Sequence, residues 1–277
     1  MVNININPLQ KWLDYTNKAE NLTKKVNILV AGKYSKANDC YKSLFEAIYH
    51  AGIENNVKCE IIWCDTKTLN KDNIHNAFKD INGVIVPGGF GVYGTDGKIE
   101  IIKYSRENNI SFLGICYGMH FAVIEFVRNV LNIQNANSTE VDPNTANKIV
   151  GLITEWQKND GSVEIRNKNS QIGGTMRLGE YKSRILPNTL AYQIYNSLEI
   201  SERHRHRYEI NHNYINMIEE AGGLFSAFSS NDNKLPEIFE IPNHKFFISC
   251  QFHPELKSRP FNVSKIFSAF IKKTINV

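Results

Sequence analysis

Residues 111–120 read SFLGICYGMH: an apolar run of strand length, then Gly114-Ile115-Cys116-Tyr117-Gly118, then a stretch of helical apolar period. This is a strand, a sharp turn and a helix. A nucleophile on such a turn needs small residues two positions to either side, because the backbone folds tightly and the helix must approach the strand. Gly114 and Gly118 meet that need. Cysteine stands where the Gly-x-Ser-x-Gly hydrolases carry serine. A helix N-terminus aimed at its sulfur favours the thiolate and leaves N–H groups for an oxyanion. A structural cysteine at the end of a core strand has the same local surroundings, so the rest of the chain must decide.

Upstream, VNILVAG at 26–32 predicts a strand, 37–50 a helix, CEIIWC from Cys59 a second strand and 72–79 a short helix. GVIVPGGFG from Gly83 predicts a third strand ending in a glycine turn, and 99–108 a helix before the Cys116 strand. Strands alternating with helices at this spacing predict an α/β fold with a central, mostly parallel sheet flanked by helices. Ligands in such folds bind at the carboxyl ends of the strands, where Cys116 and Gly88-Gly89 both fall. If the two strands are neighbours, Gly89 and Tyr117 can offer the two N–H groups of an oxyanion hole, although a plain glycine turn also fits. A phosphate-binding P-loop is excluded, because Lys98 is followed by Ile99 and Val92 occupies the place of the first glycine.

Downstream of the Cys116 helix the alternation stops. Residues 135–207 contain NANSTE, LITEW, GGTMRLGEY and the start of RHRHRYEIN, and 159–170 reads as an exposed loop. The cluster Arg203-His204-Arg205-His206-Arg207 has no aromatic platform or repeat beside it, so no nucleic-acid partner is expected. As a strand it turns Arg203, Arg205 and Arg207 to one face, either to hold an anion or as a solvated edge. The segment KFFISCQFHPEL from Lys245 runs a strand into His253-Pro254-Glu255. Residues two apart on extended backbone share a face, so Glu255 can orient His253 while Pro254 stiffens the pair. With the Cys116 elbow this makes a Cys-His-Glu triad, and catalysis becomes the favoured reading. An amphipathic helix at 263–273 closes the chain.

With 277 residues, 42% hydrophobic, 11% aromatic and a formal charge of +4, the composition is that of a globular domain with room for a large core. No stretch has the apolar length of a transmembrane helix, and the start lacks the pattern of a signal peptide. Neither a membrane nor secretion is therefore expected, and the location expected is cytoplasmic. Five cysteines without Cys-x-x-Cys spacing support neither a disulfide framework nor a structural metal site. Residues 1–25 read as a linker or polar, partly helical lead-in, and 26–277 as the catalytic domain.

PGGFG, GICYGMH and QFHPEL together resemble the class I (triad) glutamine amidotransferases. NANSTE, LITEW, GGTMRLG, ERHRHRYEIN and the VAGKY start narrow the resemblance to glutaminase domains of the CTP synthase family, across essentially the whole chain. The resemblance implies a flavodoxin-like fold with a nucleophile elbow. It implies Cys116 as nucleophile, His253 as general base and acid, and Glu255 as its orienting partner. Glutamine recognition would fall to Gly89, Tyr117, Gly118, Met119, His120, Glu140 and Arg207. Glutamine hydrolysis itself would need no cofactor or metal. In the family an N-terminal synthetase domain, expected to be absent from this chain, uses ATP and Mg²⁺ to aminate UTP, GTP is an allosteric activator, and the full enzyme is a homotetramer.

Three residues depart from that pattern: Tyr117 for the usual Leu, His120 for Gln and Tyr93 for Arg. Tyr117 leaves the backbone donor in place. His120 and Tyr93 are expected to alter glutamine affinity and the coupling to GTP. Alternative functions are a GTP-gated regulatory module with little basal turnover, or a cysteine hydrolase of other γ-glutamyl or peptide substrates. The latter leaves ERHRHRYEIN and GGTMRLG unexplained.

Overall fold

The structure is a computed structural model that describes residues 8–33, 38–152 and 176–275. Helix α1 (Pro8–Glu20) leads into β1 (Lys25–Gly32), α2 (Lys42–Glu54), β2 (Lys58–Asp65), α3 (Ile74–Ala77), β3 (Gly83–Val86) and α4 (Thr95–Glu107). The elbow segment forms β4 (Ser111–Ile115) and α5 (Tyr117–Asn129). After it come β5 (Ala136–Ser138), β6 (Asn147–Leu152), β7 (Arg177–Ile185), α6 (Leu190–Tyr195), β8 (Glu199–His206) and β9 (Tyr208–Ile210). The chain ends with α7 (Ile215–Glu220), β10 (Leu224–Ser229), β11 (Pro236–Glu240), β12 (Phe247–Cys250) and α8 (Lys265–Thr274).

A nine-stranded sheet has the order β2-β1-β3-β4-β12-β11-β10-β7-β8. Strands β2 through β12 in that order pair in parallel. Beyond β12 every pairing is antiparallel. The expected parallel sheet is therefore the half that carries the elbow, and the sheet as a whole is mixed. The reason lies in the connections: parallel neighbours need helical crossovers, whereas β10-β11 and β11-β12 follow one another through short turns that reverse the chain.

Alternation along the strands divides the core between two faces. Leu29, Val84, Val86 and Phe112 face α4 and α5, while Ile28, Val30, Ile85, Leu113 and Ile115 face α2 and α8. Both faces are covered, so these strands read as continuous apolar runs. A separate three-stranded sheet, β5-β6-β9, stands beside the elbow helix.

The lead-in is ordered as α1, whose Trp12 and Tyr15 rings pack edge-on against Phe261 at 4.6 and 5.4 Å between centroids. Most of LITEW, the 159–170 loop and the first three residues of GGTMRLG lie outside the described residues. Among the described residues no helix is long and apolar enough to cross a membrane.

Candidate active site

Cys116 stands between β4 and α5 with φ +52° and ψ −102°. A left-handed φ on a non-glycine residue costs about 1–3 kcal/mol and persists only where the surroundings enforce it. Enforcement here is visible on both sides. The Cys116 N–H donates to the Cys250 carbonyl at 2.6 Å, and the Cys116 carbonyl already accepts from Met119 N–H at 2.9 Å. A Cβ on Gly118 would fall 2.1 Å from the Val86 carbonyl oxygen, and one on Gly114 would fall 2.8 Å from Ser249 Cβ. The two glycines thus let α5 and β12 close on the elbow, as their spacing predicts. Cys116 itself is only 5% exposed.

The end of β12 brings His253 to the elbow because β12 is the parallel neighbour of β4. His253 N–H donates to the Arg203 carbonyl at 2.7 Å, so β8 fixes the backbone of the histidine. Pro254 opens a short 3-10 turn, Pro254–Lys257, which places Glu255 with Oε1 2.7 Å from His253 Nδ1. Gly88 completes the group: a Cβ there would lie 2.7 Å from His253 Cε1 and 3.6 Å from Cys116 Cβ. Burial acts to lower the affinity of His253 for its proton, but the Cys116 sulfur and the Glu255 carboxylate outweigh it and raise the pKa well above the ordinary imidazole value. The arrangement therefore favours the imidazolium form of His253 beside the Cys116 sulfur.

Gly89 and Tyr117 are neighbours, with a Cβ on Gly89 reaching 3.6 Å from Tyr117 Cδ1. The Gly91 N–H donates to Glu140 Oε1 at 2.7 Å, and the Tyr117 hydroxyl donates to the Gly91 carbonyl. Burial raises the Glu140 pKa, and the Gly91 N–H works against that rise. Glu140 follows β5 and Arg207 precedes β9. Because β6 pairs parallel with β5 and antiparallel with β9, the small sheet carries both residues at one end. Arg207 is exposed and makes no ion pair among the described residues. The side chain of Met119 is fully buried in the core, so only its backbone is available to a substrate.

His120 is 2% exposed, and its Nε2 lies 2.8 Å from Gln251 Oε1. Gln251 Nε2 in turn donates to Cys116 Sγ at 3.9 Å. Burial, partly opposed by the Gln251 contact, lowers the His120 pKa to about 4. Gln251 was not among the residues the sequence singled out, although the alternation that pairs His253 with Glu255 puts Gln251 in the same series. Tyr93 takes a structural place: its hydroxyl donates to Asp65 Oδ2 at 2.9 Å, and Lys98 Nζ donates to its carbonyl at 2.6 Å. Burial lowers the pKa of Lys98 to about 8.

The basic cluster is an edge strand. Arg203 and Arg205 point outward from β8, while His204 and His206 are buried. The inward face meets a charged group beneath the triad: Arg177 donates to Glu209 at 3.1 Å and to Glu237 at 2.7 Å, and His204 Nδ1 lies 3.0 Å from His206 Nε2. GGTMRLG and RHRHRYEIN are thereby joined through Arg177 and Glu209, a pairing that neither motif reveals alone.

The family model "Glutamine amidotransferase class-I" matches residues 36–273. A CTP synthase of Pelagibacter ubique (strain HTCC1062) is 49% identical over 272 residues, which are 98% of this chain and 49% of that protein. The chain thus spans about half the length of that curated relative. A solved glutaminase domain of Trypanosoma brucei CTPS, with bound acivicin, matches with a TM-score of 0.80 at 32% identity, covering 91% of this chain and 94% of that one. The chain belongs to the class-I glutamine amidotransferases and is similar, among them, to the glutaminase domains of CTP synthases.

Proposed function

We propose that the chain hydrolyses L-glutamine to glutamate and ammonia through a thioester on Cys116. The observation that carries this reading is the contact of Gly88, Cys116 and His253, with His253 held by Glu255 at 2.7 Å. The Cys116 thiolate attacks the side-chain amide carbon of glutamine, and the N–H groups of Gly89 and Tyr117 receive the oxyanion. As the C–N bond breaks, the His253 imidazolium gives its proton to the departing nitrogen, and ammonia leaves. Neutral His253 then takes a proton from water, which attacks the thioester. Collapse of the second oxyanion expels the thiolate and restores the imidazolium beside it.

Glu140 and Arg207 have the charges that the α-ammonium and α-carboxylate of glutamine require, and their common end of the small sheet supports that assignment. Gly118 and Met119 would contribute backbone groups, and His120 would act through Gln251. By similarity to the T. brucei domain, acivicin is expected to bind this chain too.

The relatives support a wider role, in which the ammonia passes to a synthetase domain that aminates UTP to CTP. ATP and Mg²⁺ belong to that domain and GTP to activation, within a cytoplasmic homotetramer. Residues 26–277 would form the glutaminase domain and 1–25 its linker. A cytoplasmic setting suits a reduced nucleophile, and all five cysteines are free thiols.

The test is glutamate release from glutamine by the chain and by Cys116→Ala, with mass spectrometry of the Cys116 peptide after a glutamine-mimicking electrophile. Release and adduct that both vanish in the variant support the proposal. An adduct without release favours the gated-module alternative, and the absence of both contradicts a glutaminase.

A further inference from the structure

We infer that the Tyr117 phenol is a positioning residue for the oxyanion hole, holding through the Gly91 carbonyl the loop that supplies the Gly89 N–H. The inference rests on the glutaminase reading and adds to it a task for a side chain where only a backbone donor was expected.

The loop at 88–94 has little to order it. Gly88, Gly89, Gly91 and Gly94 give it wide conformational freedom, and Gly91 and Gly94 use it, with φ of +78° and +60°. Its larger apolar side chains add no packing, since Phe90 and Val92 are 67% and 63% exposed. Its shape therefore depends on a few polar contacts. Tyr93 and Lys98 fix the far end, through Asp65 and the Tyr93 carbonyl. Near the nucleophile the Gly91 residue is held at both of its backbone groups, the N–H by Glu140 and the carbonyl by Tyr117.

Tyr117 is well suited to that task. It is the first residue of α5 and 2% exposed, and its ring lies edge-on to Phe121 with centroids 4.7 Å apart. Its own N–H is the second donor assigned to the hole. One rigid residue thus sets both donors: its backbone provides one, and its hydroxyl positions the strip of chain that provides the other. Glu140 cannot share this work equally once substrate is bound. If it receives the α-ammonium of glutamine, that cation competes with the Gly91 N–H for the carboxylate, and the phenol remains as the anchor.

The test is Tyr117→Phe, which keeps the ring, its burial and the backbone donor. Three readouts are compared with the unaltered chain: hydrogen exchange of peptides covering 88–94, kcat and KM for glutamate release, and alkylation of Cys116 by iodoacetamide, which forms no oxyanion. The expected result is exchange several-fold faster in the loop, kcat lower by about tenfold with KM held within about twofold, and alkylation unchanged. Unchanged exchange overturns the inference whatever the kinetics. Alkylation that falls in step with kcat also overturns it, because the phenol would then support the cysteine and not the hole. A chain whose Cys116 alkylates but which releases no glutamate contradicts the glutaminase reading separately, and the exchange comparison still decides what the phenol does.

Discussion

Glu255 Oε1 lies 2.7 Å from His253 Nδ1, which commits that nitrogen to carry a proton and leaves Nε2 as the ring nitrogen for the Cys116 sulfur. Glu255→Gln keeps the size but removes the charge that stabilises the imidazolium. The expected outcome is a fall in kcat of about tenfold to a thousandfold. Without the carboxylate the His253 pKa moves down, so the alkaline limb of the kcat profile, where the imidazolium is lost, shifts to lower pH. A pH–rate series on both proteins checks the sign, and an unmoved limb contradicts the role given to Glu255.

Buried His120 makes stability depend on pH in the acid range. Its folded pKa of about 4 lies below the ordinary 6.5, so it is neutral in both states above that ordinary value. As pH falls through it, the unfolded chain gains a proton that the folded chain refuses. Stability is then lost progressively until the folded pKa is reached, by about 3 kcal/mol in all. His120→Gln should remove this contribution. Urea midpoints at neutral and acid pH will show a smaller acid loss in the variant, and an equal loss contradicts the prediction.

Arg177 is the cation that two buried carboxylates share, with Glu209 at 3.1 Å and Glu237 at 2.7 Å. Burial raises the pKa of both carboxyls, and the guanidinium opposes that rise. At alkaline pH, where both carboxyls must ionise, Arg177→Met should cost about 3–5 kcal/mol because it leaves buried charge without a partner. With the cation gone, both folded pKa values climb further above the unfolded ones. The lost stability is therefore greatest at alkaline pH and smallest below the unfolded carboxyl range. Denaturant titrations across that interval measure the widening gap.

Gly118 has no room for a side chain, since a Cβ would fall 2.1 Å from the backbone oxygen of Val86. Neither the helix nor strand β3 can yield without moving Cys116. Gly118→Ala should cost about 3 kcal/mol and slow alkylation of Cys116. Full stability in a denaturant titration would show that α5 is not packed this closely.

The parallel half of the sheet was legible because β1, β3, β4 and β12 are buried on both faces and its helices have apolar periodicity, so hydrophobicity marks them; edge strand β2 is half-exposed and reads instead from its β-branched and aromatic residues. Segments β7 and β8 were harder to read. Their inward positions include His204, His206 and Glu202, and a polar core hides the alternation from any hydrophobic pattern. The meeting of Cys116, His253 and Glu255 could be anticipated because its cues are local: two glycines about Cys116, and one residue between His253 and Glu255. Gln251 against Cys116, the Tyr117 phenol on Gly91 and Arg177 between two glutamates depend on segments that meet only in the folded chain. No spacing along the sequence announces them.

Cys116 and His253 act, in the proposed reaction, as a nucleophilic pair on the amide of glutamine. Quenched mass spectrometry of the chain with glutamine tests that role most directly, by looking for a γ-glutamyl thioester on the Cys116 peptide beside measured glutamate release. The expected result is a thioester that appears with glutamine and is absent from Cys116→Ala along with release. Glutamate release that persists undiminished in Cys116→Ala would contradict it.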